Sequence, residues 1–150
     1  MTIDDLIDLL IGDLANEYAH MNFYMYASTS VKGLHRQELS EFFSEQASSE
    51  MKHVDAFRRL IQGLVTRRGL GRSVPCRIAE FKKDLDDPKD LLWAALQMED
   101  EVVENYVLRH SQAEQIGGAD GMYVSLFLED QILDSRADAD NIRELLKITY

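Results

Sequence analysis

The chain has 150 residues, 45% of them apolar, and a formal charge of −11 from 16 basic and 27 acidic side chains. That length suits one domain, and the apolar share is that of a folded domain and not of a disordered acidic tail. The acidic balance argues against a nucleic-acid or anionic-membrane binder, because phosphate is held by Lys and Arg. The single Cys76 permits no internal disulfide, and the longest apolar run, Leu91 to Leu96, falls far short of a bilayer span. With no basic, apolar leader at the N-terminus, a soluble cytoplasmic protein is expected.

Between sparse glycines and two prolines, apolar residues recur every three to four positions, which predicts four long helices over about 3–31, 35–67, 88–116 and 120–147. The first carries the row Ile3, Leu10, Glu17, Tyr24, Val31 at seven-residue steps. The second follows a tight connection near 32–34. Its core rows are Phe43, Glu50, Phe57, Leu64 and Leu39, Gln46, His53, Leu60. A connection of about 20 residues, 68–87, comes next. A helix of ~28 residues is about 42 Å long, and twenty extended residues cover that distance. The connection therefore either runs the full length of the bundle and starts the third helix parallel to the second, or forms a loop in a simple up-down bundle. From Arg58 to Lys83 there are eight basic residues against Glu80, leaving −18 for the rest. This stretch reads as a solvated helix end, as a surface for acidic groups of a neighbouring subunit, or as a nucleic-acid contact.

The third helix opens with Asp87 as cap, Pro88 in the first turn and Asp90 behind it, and ends at Gly117-Gly118. Its row is Leu92, Glu99, Tyr106, Ala113. On the fourth helix Met122 and Glu129 share a row, with Leu126 and Leu133 alongside. The fold expected is one all-α domain over residues 1–150, an antiparallel four-helix bundle with one long crossover.

Each helix thus places one glutamate on an apolar seam, where a carboxylate is costly unless paired, protonated or bound to metal. Their depths agree to within roughly 12 Å along the axis. His53 follows Glu50 by three and faces the same way. Four carboxylates would cancel two divalent cations, and oxygen ligands with an imidazole suit iron or manganese.

The spacing of Glu17, Tyr24, Glu50, His53, Glu99 and Glu129, and the stretch Ser49-Glu50-Met51-Lys52-His53-Val54-Asp55, resemble the ferritin and bacterioferritin family over nearly the whole chain. The resemblance implies oxidation of Fe(II) by O2 or H2O2 at an intrachain di-iron centre, with storage or detoxification of iron in a homo-oligomeric shell. It implies Glu50 and Glu129 as bridging ligands, Glu17 and Glu99 as terminal ligands, and His53 on one iron. Tyr24 would hydrogen-bond a ligand or donate an electron, or be an ordinary core tyrosine. Met51 matches the haem-binding position of bacterioferritins, or is an apolar interface methionine. The chain departs from the pattern at Ile132, where bacterioferritins carry a second histidine. The second iron would then lack a histidine, as in many animal-type ferritins, unless Asp130, Asp134 or an unexpected His20 substitutes. It also stops at Tyr150, where the family's short fifth helix is expected to be missing, which leaves a dimer or a smaller shell open. Two other functions share the pattern: a small di-iron oxygenase or peroxide reductase, and a metal-free helical interaction protein.

Overall fold

The computed structural model describes residues 1–149, with side chains through Lys147. Tyr150, where the fifth helix of the family would have to continue, lies outside the described residues. The helices are α1 (Ile3–Ser30), α2 (Arg36–Arg67), α3 (Pro88–Ile116) and α4 (Gly118–Thr149). The main departure from the sequence reading is the last turn. Only Gly117 separates α3 from α4, with φ at 68°, a left-handed conformation open to glycine. Gly121 lets α3 and α4 meet closely there, since a Cβ on it would sit 2.6 Å from the Ala113 carbonyl oxygen.

Local chemistry explains the helix starts. Thr2 accepts from the Asp5 amide, and the Asp5 carboxylate accepts from the Thr2 amide, which closes a capping box on α1. Asp87 accepts from the Asp90 amide, and Pro88 occupies the first turn of α3, as expected.

The long connection runs the length of the bundle against α1. Arg72 pairs with Asp8 near the start of α1 at 2.8 Å, the Ala79 amide donates to the Ala15 carbonyl, and the Lys32 amide donates to Asp86 at the far end. The Tyr26 hydroxyl is held by both the amide and the carbonyl of Leu85. The third helix therefore begins where α2 begins, and the two are parallel. Much of the basic stretch fastens this crossover. The Arg58 guanidinium donates to the Val74 and Pro75 carbonyls at 3.1 Å, and Lys82 donates to Gln97 of α3.

The apolar core is divided. One cluster fills the end built from Leu6, Leu10, Leu14, Phe57, Leu60, Leu64 and Leu128. A second, with Phe23, Phe43, Leu91, Leu92, Ala139 and Ile142, fills the other end. Each buried Leu or Phe contributes about 1.5–3 kcal/mol, so the two clusters carry the stability while the layer between them is free to be polar.

Candidate metal centre

The layer between the clusters holds Glu17 of α1, Glu50 and His53 of α2, and Glu99 of α3, all buried. Asp138 of α4, half-buried, completes it. These side chains form two groups whose ligand atoms lie within 4.8 Å of one another: Glu17 with Glu50 and His53, and Glu50 with Glu99 and Asp138. Glu50 belongs to both. His53 Nδ1 lies 3.2 Å from Glu50 and 3.9 Å from Glu17, and its Nε2 lies 3.4 Å from Asp134.

Two tyrosines orient the carboxylates in a reciprocal pattern. The Tyr24 hydroxyl of α1 donates to Glu99 of α3 at 2.8 Å, while the Tyr106 hydroxyl of α3 donates to Glu17 of α1. Each tyrosine stands seven residues after the glutamate on its own helix, and the antiparallel run of α1 and α3 crosses the pairs over. One turn beyond, the Arg109 guanidinium makes two bonds to Asp13, at 2.8 and 3.0 Å, and Asn105 adds a third. Both ions are buried, and the pair fixes the register of α1 on α3.

Glu17 Oε2 is buried with no hydrogen-bond partner. Burial, and then the charge of Glu50, push the Glu17 carboxyl well above its usual range. Burial is also the main cause that raises Glu50 to about 8 and Glu99 to about 8, with the Asp138 charge adding to the effect on Glu99. Burial raises Asp138 to about 6. A bare site thus favours protonated carboxyls, and divalent cations would reverse that preference. An orphaned carboxylate oxygen, a cluster of acids and a buried imidazole fit such cations, with oxygen and nitrogen donors of the kind that suit iron or manganese.

The structure departs from the sequence reading on α4. Glu129 is exposed and pairs with His110 at 3.0 Å, outside both groups. Asp130 is exposed as well and belongs to neither group. The helix carries two seven-residue stripes. The one bearing Met122, Leu126, Glu129 and Leu133 faces outward. The inner one reads Gly121, Val124, Ser125, Leu128, Gln131, Ser135, Asp138, Ala139 and Ile142, all buried except the half-buried Asp138. Its middle is small and polar because it faces the carboxylates. Asp134 and Asp138, four apart and on one face, are the signal that points to this seam.

His20 joins neither group. Burial, and then the charge of His53, lower it to about 4, and it lines a cleft of about 600 Å³ between α1, α3 and the crossover. Tyr106 also lines that cleft. Met51 is exposed on the outer face of α2.

The ferritin-like domain matches residues 7–149. The chain belongs to the ferritin-like family. A ferritin-like, diiron-carboxylate protein from Bacillus anthracis str. Ames is 28% identical, with a TM-score of 0.83 and 96% of each chain covered. Mycobacterium tuberculosis bacterioferritin BfrA is 18% identical, with a TM-score of 0.66 over 96% of this chain and 85% of that one. A PmFTN variant soaked overnight in iron is 16% identical, with a TM-score of 0.70 over 95% of this chain and 87% of that one. The last two show the fold alone. No curated protein matches this ferritin-like chain by sequence. Among its described residues no helix is long and apolar enough to cross a membrane.

Proposed function

We propose that this ferritin-like chain binds two Fe(II) ions as substrate, oxidises them with O2 or H2O2, and stores the ferric product in a shell of its own copies. The observation that carries this reading is the sharing of Glu50 between two groups of potential ligands. Glu17, Glu50 and His53 would hold one ion, and Glu50, Glu99 and Asp138 the other. Two Fe(II) supply two electrons, which reduce O2 to H2O2 or H2O2 to two waters.

The protein's own part is positional and protonic. Tyr24 and Tyr106 hold Glu99 and Glu17 in orientation, and the apolar clusters close the layer at either end of the bundle axis. Binding displaces protons from Glu50 and Glu99, the carboxyls raised to about 8. The negative balance of the chain favours cation approach.

Stopped-flow oxidation after addition of two Fe(II) per chain in air tests the reading. Glu50→Ala abolishes the fast phase, whereas Glu129→Ala leaves it within about twofold, as expected of an exposed surface change. A fast phase that survives Glu50→Ala would refute the assignment.

One observation favours a second reading. The cleft beside His20 and Tyr106 has room for a small organic molecule, as an oxygenase on the same bundle would require. Oxygen uptake that depends on such a molecule, with no build-up of ferric product, would select that reading.

A further inference from the structure

The cleft between α1, α3 and the crossover takes no part in the iron chemistry, yet it stands against the metal layer. It is lined in part by Tyr106, which is buried and donates its hydroxyl to Glu17. The cleft measures about 600 Å³, within the range of about 300–1,000 Å³ found for small-molecule sites. Its rim and its interior differ in chemistry. Glu80, Lys82 and Glu101 stand exposed at the rim. Phe81, Met98 and Val102, buried or half-buried, give the interior its apolar wall.

Most polar groups of the interior are already spent. Tyr106 bonds Glu17, and the Asn105 amide donates to Asp13 and accepts from Arg109. His20 differs. It is half-buried, lines the cleft, and makes no hydrogen bond or ion pair with another described residue. Burial, and then the charge of His53, lower it to about 4, so near neutral pH its ring is uncharged and offers one N–H donor and one acceptor nitrogen. Such a ring matches a hydroxyl, which both donates and accepts. The walls define the rest of a ligand. Phe81 and the thioether of Met98 suit an aromatic ring. Two carboxylates against one ammonium at the rim disfavour an anion. The interior wall offers no carboxylate to a cation, whose burial without a partner is costly.

We infer that this cleft binds a small uncharged phenol, its ring against Phe81 and Met98 and its hydroxyl on His20. The inference rests on the second reading above only for the choice of cleft, and gives that reading a ligand class. Binding is tested on the whole metal-free chain, so that it fails or stands apart from any iron chemistry. Phenol itself is the probe, titrated while the histidine ring signals are followed by 15N NMR and the affinity is read by calorimetry. Saturable binding that shifts the His20 ring signals and leaves those of His35 and His110 in place is the expected result. Benzene, which lacks the hydroxyl, binds about fivefold more weakly, the worth of one hydrogen bond. Benzoate, which brings a charge, is weaker than phenol by more than about tenfold at His20. His20→Phe keeps a ring in the cleft and lowers the affinity for phenol to that for benzene, with helicity by circular dichroism unchanged. His20 signals that stay in place at millimolar phenol, or an affinity that survives His20→Phe, overturn the site and leave the iron chemistry standing. Benzoate held at His20 as tightly as phenol overturns the ligand class. Binding at His20 with no phenol-dependent oxygen uptake once Fe(II) is added keeps the site and removes the oxygenase reading.

Discussion

The two halves of the polar layer share Glu50 but differ in everything else that a metal would sense. The half with Glu17 and His53 is fully buried, contains the imidazole, and has a carboxylate oxygen with no other partner. The half with Glu99 and Asp138 has no imidazole and is the less enclosed of the two, since Asp138 is only half-buried. A buried nitrogen donor and a half-buried carboxylate do different jobs. On the function proposed above, the first half would retain an ion and the second would exchange one with solvent.

That contrast can be broken from either side. The largest effect is expected for His53→Ala, which removes the only nitrogen donor of the two groups. Anaerobic calorimetric titration with Fe(II) then finds one ion per chain where the wild type binds two. Asp138→Ala retains the first ion and weakens the second by at least about 10–100-fold, the range found when a group that merely supports a ligand is lost. Equal losses in the two variants would mean that the halves are not distinct.

A smaller effect separates the bare layer from the filled one. Glu50 and Glu99 are raised to about 8 in the folded chain from an ordinary 4.5. Between those values the folded protein binds more protons than the unfolded chain, so this contribution to stability is full below pH 4.5 and lost as pH rises through 8. The metal-free protein therefore melts lower at pH 8 than at pH 5.5. Mn(II) removes the difference by taking the place of the protons, and Glu50→Gln reduces it. A melting temperature that rises over this interval would contradict the buried, protonated state. The smallest effect belongs to the tyrosines. Tyr106→Phe frees Glu17 in the retaining half and slows oxidation with little change in affinity for the first ion. Tyr24→Phe acts in the same way on the exchanging half through Glu99.

The fold was legible because its signals are local and periodic. The seven-residue rows located α1, α2 and α3, Asp87 and Pro88 marked the start of α3, and the length of the 68–87 segment allowed the crossover that the structure displays. Three elements of the site on α1, α2 and α3 were legible for the same reason, since Glu17, Glu50, His53 and Glu99 interrupt otherwise apolar rows. The fourth was not. On α4 the outer stripe carries Met122, Leu126 and Leu133 and the inner one Val124, Leu128 and Ile142, so apolar periodicity does not tell the two faces apart, and the part that faces the carboxylates is built of Ser, Gln and Asp. The Asp13–Arg109 pair was missed for a related reason. Each residue alone reads as a surface charge, and only the antiparallel register of α1 and α3 brings them together in the interior. The reciprocal tyrosines did leave a trace, because the same seven-residue step from glutamate to tyrosine occurs at Glu17–Tyr24 and Glu99–Tyr106.

The central claim is that two metal ions share Glu50 and that α4 contributes Asp138 in place of Glu129. Anomalous diffraction from crystals soaked in Mn(II) tests it most directly. Two anomalous peaks on either side of the Glu50 carboxylate, one against Glu17 and His53 and the other against Glu99 and Asp138, are the predicted result. A peak held by Glu129, or none between the two apolar clusters, would contradict it.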